Sequence, residues 1–390
     1  MIRRIDLFLP PYSQYSVLHH FTYKFYEALT RVGISCRILE AKFYDPKPFL
    51  QQIFNDPPDC TLSFNGLLPD ENGYFFSDLV QIPHVACLTD PPTRFIELVK
   101  SPMTIITCMD RSGLDFFKEL HFEKAFFMPH GVEKNIKGDP EQPRNIDVLL
   151  LSTCIDYEQI RAEWRNKYST ALCKVLDEAA ERTLADQTTS YINAFVASID
   201  HHLRTEKDLD PNTIPYIEAL MDLDDYIRGK DRVDLLRSIK DFPVDIYGSG
   251  PWEKFTKNTK GRVHTPTPYE HALTLMKNSK IILNTSATTK NGAHTRVFAG
   301  LLSGAVPITN ENPYMLEYFK DFEDVVYYRH SQAERVNENI GKILSDNTLK
   351  ASIVHHGREK TLAHHTWDHR ASQLIKNLTP ILNQMKEYSH

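Results

Sequence analysis

The sequence predicts an α/β protein made of two parallel-sheet domains, and three observations predict it. Apolar runs of strand length alternate with helical stripes, the pattern of parallel strands joined by helical crossovers. The alternation begins at Ile5, lapses in a polar stretch around residues 134–146 and resumes at Asp147. The chain has 390 residues, too many for one ordinary core and suited to two.

In the first domain, residues 1–133, Ile5 to Leu9 is a strand closed by Pro10 and Pro11, which cannot pair further. A helix follows with Phe21, Phe25, Ala28 and Leu29 on one face, and Gly33 ends it. Cys36 to Leu39 is a strand, Phe43 to Phe54 a helix, and Cys60 to Phe64 a strand turning at Asn65-Gly66. His84 to Thr89, Thr104 to Cys108 and Ala125 to Met128 continue the sheet, with an amphipathic helix between the last two.

Residues 134–146 read as a linker, with Gly138, Pro140 and Pro143. The second domain, 147–369, opens on Val148-Leu149-Leu150-Leu151. From about 157 to 240 only helical stripes occur, such as Tyr191, Ile192, Phe195, Val196, Ile199 and Leu203. A second stripe runs through Tyr216, Leu220, Leu223 and Ile227, so this stretch is predicted as a helical insertion. Val244 to Tyr247, Val263-His264, Ile281 to Leu283, Ala305 to Thr309 and Val325 to Tyr328 resume the sheet. Helices are expected over Tyr269 to Lys277, Met315 to Asp321 and Gln332 to Leu344. A last helix, 370–390, carries Leu374, Leu378 and Leu382 on one side and is expected to pack back on the first domain.

Composition narrows the function classes. Hydrophobic residues are 41% and charged residues 25%, as in a globular protein. A net charge of -6 argues against binding nucleic acid or an anionic membrane. Six scattered Cys form no close pair and read as reduced core thiols of a cytoplasmic protein. Met1-Ile-Arg-Arg leads straight into a strand, so no signal peptide is expected, and no apolar run has membrane-span length. The paired histidines, 201–202 among them, lack zinc-type spacing, and Asp222 to Asp225 reads as a solvated helix face. No metal or cofactor is expected.

The stretch Ile281 to Asn310 holds the strongest functional signal. A strand leads into a polar loop, Asn284 to His294. Thr295 can cap a helix that runs to Ser303, and Gly304 can close it in the left-handed conformation. Ligands of parallel sheets lie outside the carboxyl ends of the strands, where this loop falls. Arg296 stands in the first helical turn, where the macrodipole disfavours a cation. A bound anion, held by free backbone N–H groups and the guanidinium, removes the mismatch. A diphosphate is the obvious anion; an Arg paired with a nearby carboxylate is the alternative.

The order of short motifs extends this. Gly248-Ser249-Gly250, Thr265-Pro266, the Asn284 to Arg296 loop, Arg296-Val297-Phe298 and Gly304-Ala305-Val306-Pro307 follow one another as in the donor domain of GT-B glycosyltransferases. With His365-Thr366-Trp367-Asp368-His369-Arg370-Ala371 before the final helix, the chain resembles the CgeB-like, spore-protein-like glycosyltransferases, relatives of the large group-1 retaining enzymes. The resemblance implies two Rossmann-like domains with a C-terminal crossover helix. It implies transfer of a sugar from a nucleotide sugar to a hydroxyl acceptor (glycan, protein or small molecule), with retention and without metal.

 The resemblance also assigns roles to residues. Thr265-Pro266 would lie against the nucleobase, and Gly248, Ser249 and Gly250 would let the backbone approach the nucleotide. Asn291, Gly292, Ala293, His294 and Thr295 would supply N–H donors to the diphosphate, beside Asn284 and Thr285 of the same loop. Arg296 would neutralise the departing diphosphate, with Ser152 and Thr153 cradling the same phosphates and Arg161 a weaker candidate. In the first domain Asp90 would orient or deprotonate the acceptor hydroxyl, and His130 would point into the interdomain cleft. Tyr12, His19 and Arg94 would line the acceptor side. One position departs from the pattern. Related retaining enzymes carry a Glu within the helix that begins at the Arg, and here Ala299 stands there, with Glu311 and Asn312 as substitutes for holding the ribose. A non-catalytic nucleotide-sugar-binding protein and a nucleotide-sugar epimerase on the same scaffold are the alternatives.

Overall fold

The computed structural model describes residues 2–40, 47–139, 142–206 and 208–387. In chain order the first part holds β1 (Arg4–Leu9), α1 (Val17–Arg31), β2 (Ser35–Glu40), α2 (Lys47–Asn55), β3 (Cys60–Phe64) and α3 (Phe76–Val80). It continues with β4 (His84–Leu88), β5 (Thr104–Cys108), α4 (Arg111–Glu119) and β6 (Ala125–Phe127). These strands form one six-stranded sheet in the order β2-β1-β3-β4-β5-β6, with every neighbouring pair parallel. β3, β4 and β5 are buried along their whole length, as parallel strands covered on both faces must be.

The second sheet begins with β7 (Ile146–Leu151). Four helices follow without a strand: α5 (Tyr157–Lys167), α6 (Thr170–Ala185), α7 (Tyr191–His202) and α8 (Tyr216–Ser238). Then come β8 (Val244–Tyr247), α9 (Trp252–Thr256), β9 (Gly261–His264), α10 (Tyr269–Lys277), β10 (Ser279–Asn284) and α11 (Thr295–Ser303). The chain closes with β11 (Val306–Asn310), α12 (Pro313–Tyr318), β12 (Val326–Tyr328), α13 (Arg335–Ser345), α14 (Asn347–His364) and α15 (Trp367–Glu387). This sheet is also parallel, in the order β12-β11-β10-β7-β8-β9. The α/β class with a helical insertion is as the sequence predicts.

The chain divides into two compact units. One comprises Met1–Lys134, Pro268–Glu270 and His364–His390, and the other Asn135–Thr267 and His271–Ala363. The last helix belongs to the first unit for a visible reason. Trp367 is buried among Phe21, Phe25 and Phe64, with ring centroids 5.2, 5.6 and 5.9 Å away. Val132 accepts a hydrogen bond from the Trp367 N–H at 3.0 Å and donates to the His365 carbonyl at 3.0 Å. Gly131 is required beside it, since a Cβ there would lie 2.8 Å from the indole ring.

Several expectations change. The helix expected over Phe43 to Phe54 is α2, Lys47–Asn55, and its first part lies outside the described residues. Val196 and Leu203, assigned to a packing stripe, are 50% and 39% exposed. The polar residues 134–146 are tied down in places: Arg144 donates to the carbonyls of Ser279 (2.7 Å) and Ser303 (2.9 Å), so it caps the end of α11. The last helix starts at Trp367, not Arg370. Helix α14 was not expected at all. Its buried residues are Ile353, Gly357 and Thr361, four apart, and only one of them is a large hydrophobe. A Cβ at Gly357 would lie 2.3 Å from the Asp324 carbonyl oxygen, so this helix packs by close approach and shows no apolar stripe.

Candidate functional site

In the second unit the carboxyl ends of β7, β8, β10, β11 and β12 bring together most of the residues assigned to the donor. The loop after β10 leads into α11. Its cap is the His294 side chain, whose Nδ1 accepts from the Arg296 backbone N–H at 3.2 Å, and not Thr295, which is the first buried helical residue. Arg296 is half-buried, and its guanidinium donates to Asn284 Oδ1 at 2.9 Å. Asn284 is buried and donates in turn to Thr309 Oγ1 at 2.9 Å, so the end of β11 fixes the amide that holds the arginine. Asn310 Oδ1 accepts from the Ser286 N–H at 2.6 Å, and Asn312 donates to the Gly292 carbonyl at 3.1 Å. Asn291 is half-exposed and Ala293 buried in the same loop.

Two further cations reach this edge, and the sequence reading missed both. Arg232 of α8 donates to the Thr153 carbonyl at 2.7 Å, and it makes no ion pair among the described residues. Its pKa is pushed down to about 9, first by burial and then by the charges of Arg228 and Arg296. Arg228 is itself held by Asp224 (3.3 Å) and Asp225 (3.7 Å). Three arginines therefore share one neighbourhood with two buried carboxylates of α8, Asp224 and Asp231. Asp231 is already engaged by Tyr328 Oη (3.3 Å) and His330 (3.0 Å). Burial lowers the His330 pKa, yet hydrogen bonds to Asp231 and Asp234 outweigh it and hold the ring at about 9. The signal that would have found Arg228 and Arg232 is their four-residue spacing, one face of one helix.

The edge also carries unused polar atoms. Ser152 Oγ, Thr285 Oγ1 and Arg232 Nε are shielded from solvent and have no hydrogen-bond partner among the described residues. Buried polar groups rarely stay unpaired without a purpose, because each costs about 1–3 kcal/mol.

Other assigned residues do different work. A Cβ at Gly248 would lie 1.9 Å from the Ser152 carbonyl oxygen, and one at Gly250 (φ +88°) 2.1 Å from that of Cys154. These glycines are needed by the crossing of two chain segments, before any nucleotide is considered. Ser249 accepts from the Cys154 N–H at 2.7 Å in the same crossing. Thr265 and Pro266 are exposed, beyond a stack of Tyr247 on His264 with centroids 4.4 Å apart and a 12° interplanar angle. Ala299 is buried in α11. Its suggested substitutes are committed elsewhere: Glu311 pairs with Arg329 at 2.8 Å, and Asn312 caps α12 through the Met315 N–H at 2.9 Å. Arg161 is held by both oxygens of Asp177, at 2.8 and 2.9 Å, within the helical insertion.

In the first unit, Asp90 follows β4 and accepts from Asn65 Nδ2 at 2.8 Å, while Asn65 Oδ1 accepts from the Thr89 N–H at 2.8 Å. Asn65 sits at φ 63°, in the left-handed region that an Asn tolerates. Asp90 does not cap the short 3-10 turn at Pro92–Lys100. His130 is buried, and burial followed by Arg370 pushes its pKa down to about 4, against the opposing charge of Asp90. It is therefore a neutral imidazole near a carboxylate. Tyr12 is 78% exposed, His19 Nε2 lies 2.6 Å from the Pro10 carbonyl, and the Arg94 N–H donates to Pro91 at 3.1 Å.

Among the paired histidines, His201 and His202 converge on Glu178, each ring nitrogen 2.9 Å from Oε2. Arg182 donates to Oε1 of the same carboxylate at 2.7 Å, a cation where a metal would have to compete. No helix among the described residues is long and apolar enough to cross a membrane.

Residues 230–376 match a protein family described as glycosyl transferase-like. No curated protein matches the chain by sequence. Among solved structures the chain is similar to HepE from Anabaena in complex with UDP-glucose, at 9% identity, 97% coverage of this chain, 100% of that one and a TM-score of 0.55. It is similar to a sucrose-phosphate synthase from Thermosynechococcus elongatus, at 9% identity, 98% and 100% coverage and a TM-score of 0.57. It is also similar to AviGT4, a glycosyltransferase involved in avilamycin A biosynthesis, at 10% identity, 98% coverage of each and a TM-score of 0.53. At these identities the likeness is one of fold.

Proposed function

We propose that this chain, a glycosyltransferase of the GT-B fold, moves a sugar from a nucleoside-diphosphate sugar to a hydroxyl acceptor, with retention and without a metal. The observation that carries the reading is the meeting of Arg228, Arg232 and Arg296 at the carboxyl edge of the second sheet, where burial and mutual repulsion push the Arg232 pKa down to about 9. A dianionic diphosphate relieves that repulsion and takes the idle Arg232 Nε–H, Ser152 hydroxyl and Thr285 hydroxyl as donors. The same cations stabilise the charge that builds on the departing diphosphate, which is the task a metal performs elsewhere. The HepE complex with UDP-glucose supports a nucleotide sugar as the ligand class.

In the first unit we assign the acceptor proton to Asp90, aimed by Asn65, with neutral His130 as its neighbour. A second reading, binding without transfer, is favoured by Ala299, because Glu311 is engaged by Arg329 and does not replace the missing carboxylate. An epimerase is the third. Incubation with UDP-, GDP- and ADP-sugars separates them. Release of nucleoside diphosphate is expected for transfer or slow hydrolysis. Saturable binding with no turnover would leave a binding protein, and an isomerised donor an epimerase.

A further inference from the structure

The helical insertion holds a cavity that the donor reading does not use. Helices α5, α6 and α8 border a half-open cavity of about 570 Å³, within the usual size of a small-molecule site. Tyr226 and Tyr157 meet edge to face there, with centroids 5.7 Å apart. Around the rings stand three cations, Arg161, Arg165 and Lys230, and three carboxylates, Glu158, Asp177 and Glu181. Arg161 is fixed by Asp177, and Lys230 by Asp234 at 2.6 Å while it lies over the Tyr157 ring at 5.7 Å.

The balance of charge decides the ligand class. A phosphate pocket needs surplus cations and a cation pocket surplus carboxylates, and this cavity has neither. Fixed donors and acceptors in equal number, beside two tyrosines, suit a neutral polyhydroxyl ligand. Its hydroxyls both donate and accept, which matches a lining that offers both. The cavity is also joined to the donor edge. Leu184 lines both it and a crevice bounded by Ser286 and Asn310. Lys290 of the donor loop, itself buried, donates to the Thr183 and Asp186 carbonyls at the end of α6, each at 2.6 Å.

We infer that this cavity is a second carbohydrate site, which holds a neutral sugar unit of a longer glycan apart from the nucleotide sugar. That the glycan is the acceptor rests on the transfer reading; that it binds here does not. The test screens the full chain, saturated with UDP, against an array of neutral oligosaccharides, and then measures the best binder by calorimetry. Two variants are compared, Arg161→Gln and the charge-balanced pair Arg165→Ala with Glu181→Ala, all at exposed positions. One-to-one binding in the presence of UDP is expected, weakened at least about tenfold by each variant, with the thermal shift caused by UDP unchanged. The inference is overturned if no neutral glycan binds, if UDP displaces the bound one, or if neither variant weakens it. Glycan binding without any UDP shift would instead sink the donor reading and leave this site standing.

Discussion

The carboxyl edges of the two sheets have the same architecture and differ in the charged side chains placed on it. The second sheet's edge gathers arginines: Arg232 has no ion pair among the described residues, and Arg296 is held by the amide oxygen of Asn284. At the first sheet's edge the Asp90 carboxylate is fixed by a neutral amide, and the His130 imidazole is kept neutral by burial. On the proposed function, the same parallel fold would seat a leaving anion in one unit and an acid–base pair in the other. The difference lies in side chains at strand ends and not in topology, as expected when function is carried by sites on a common scaffold.

The largest way to break that contrast is to remove its cation. Arg296→Ala is expected to slow nucleoside-diphosphate release by about 10²–10³-fold, as loss of a preorganised charge-stabilising donor does. Steady-state release from the best donor sugar measures it. Asp90→Asn should cut turnover by about 10²-fold while leaving the affinity for nucleoside diphosphate unchanged, which separates the two edges by kinetics. Arg228→Ala should weaken diphosphate binding by about tenfold, the scale of one charged hydrogen bond, as read by calorimetry.

The smallest effect is on stability against pH, and its sign differs between the units. His330 has a raised folded-state pKa, so its contribution is present below pH 6.5 and lost as pH rises through about 9. His130 has a lowered one, about 4, so the unfolded chain binds the extra proton and stability is lost as pH falls from 6.5 toward 4. Denaturation midpoints across pH should show His330→Gln flattening the alkaline flank and His130→Gln the acid one.

The strands were legible because fully buried parallel strands leave short, unbroken apolar runs such as Val148 to Leu151. Helix α14 was not, because Gly357 and Thr361 make its contact through small residues. In the site, Arg296 could be read from its place at a helix start, a local mismatch visible in sequence. Arg228 and Arg232 offered only their spacing on one helix face, since more than 40 residues of chain separate α8 from the loop after β10, and only the folded insertion brings them together. The glycines at 248 and 250 were legible as special positions but not as to cause, which is the crossing with Ser152 and Cys154.

The most direct measurement compares a nucleoside diphosphate with its own nucleoside, UDP against uridine or the matching pair for GDP or ADP, by calorimetry at fixed salt. An arginine-lined donor edge predicts that the diphosphate binds at least about 100-fold more tightly and that Arg296→Ala removes most of the gap. Equal affinities for the two, or a gap untouched by Arg296→Ala, would contradict it.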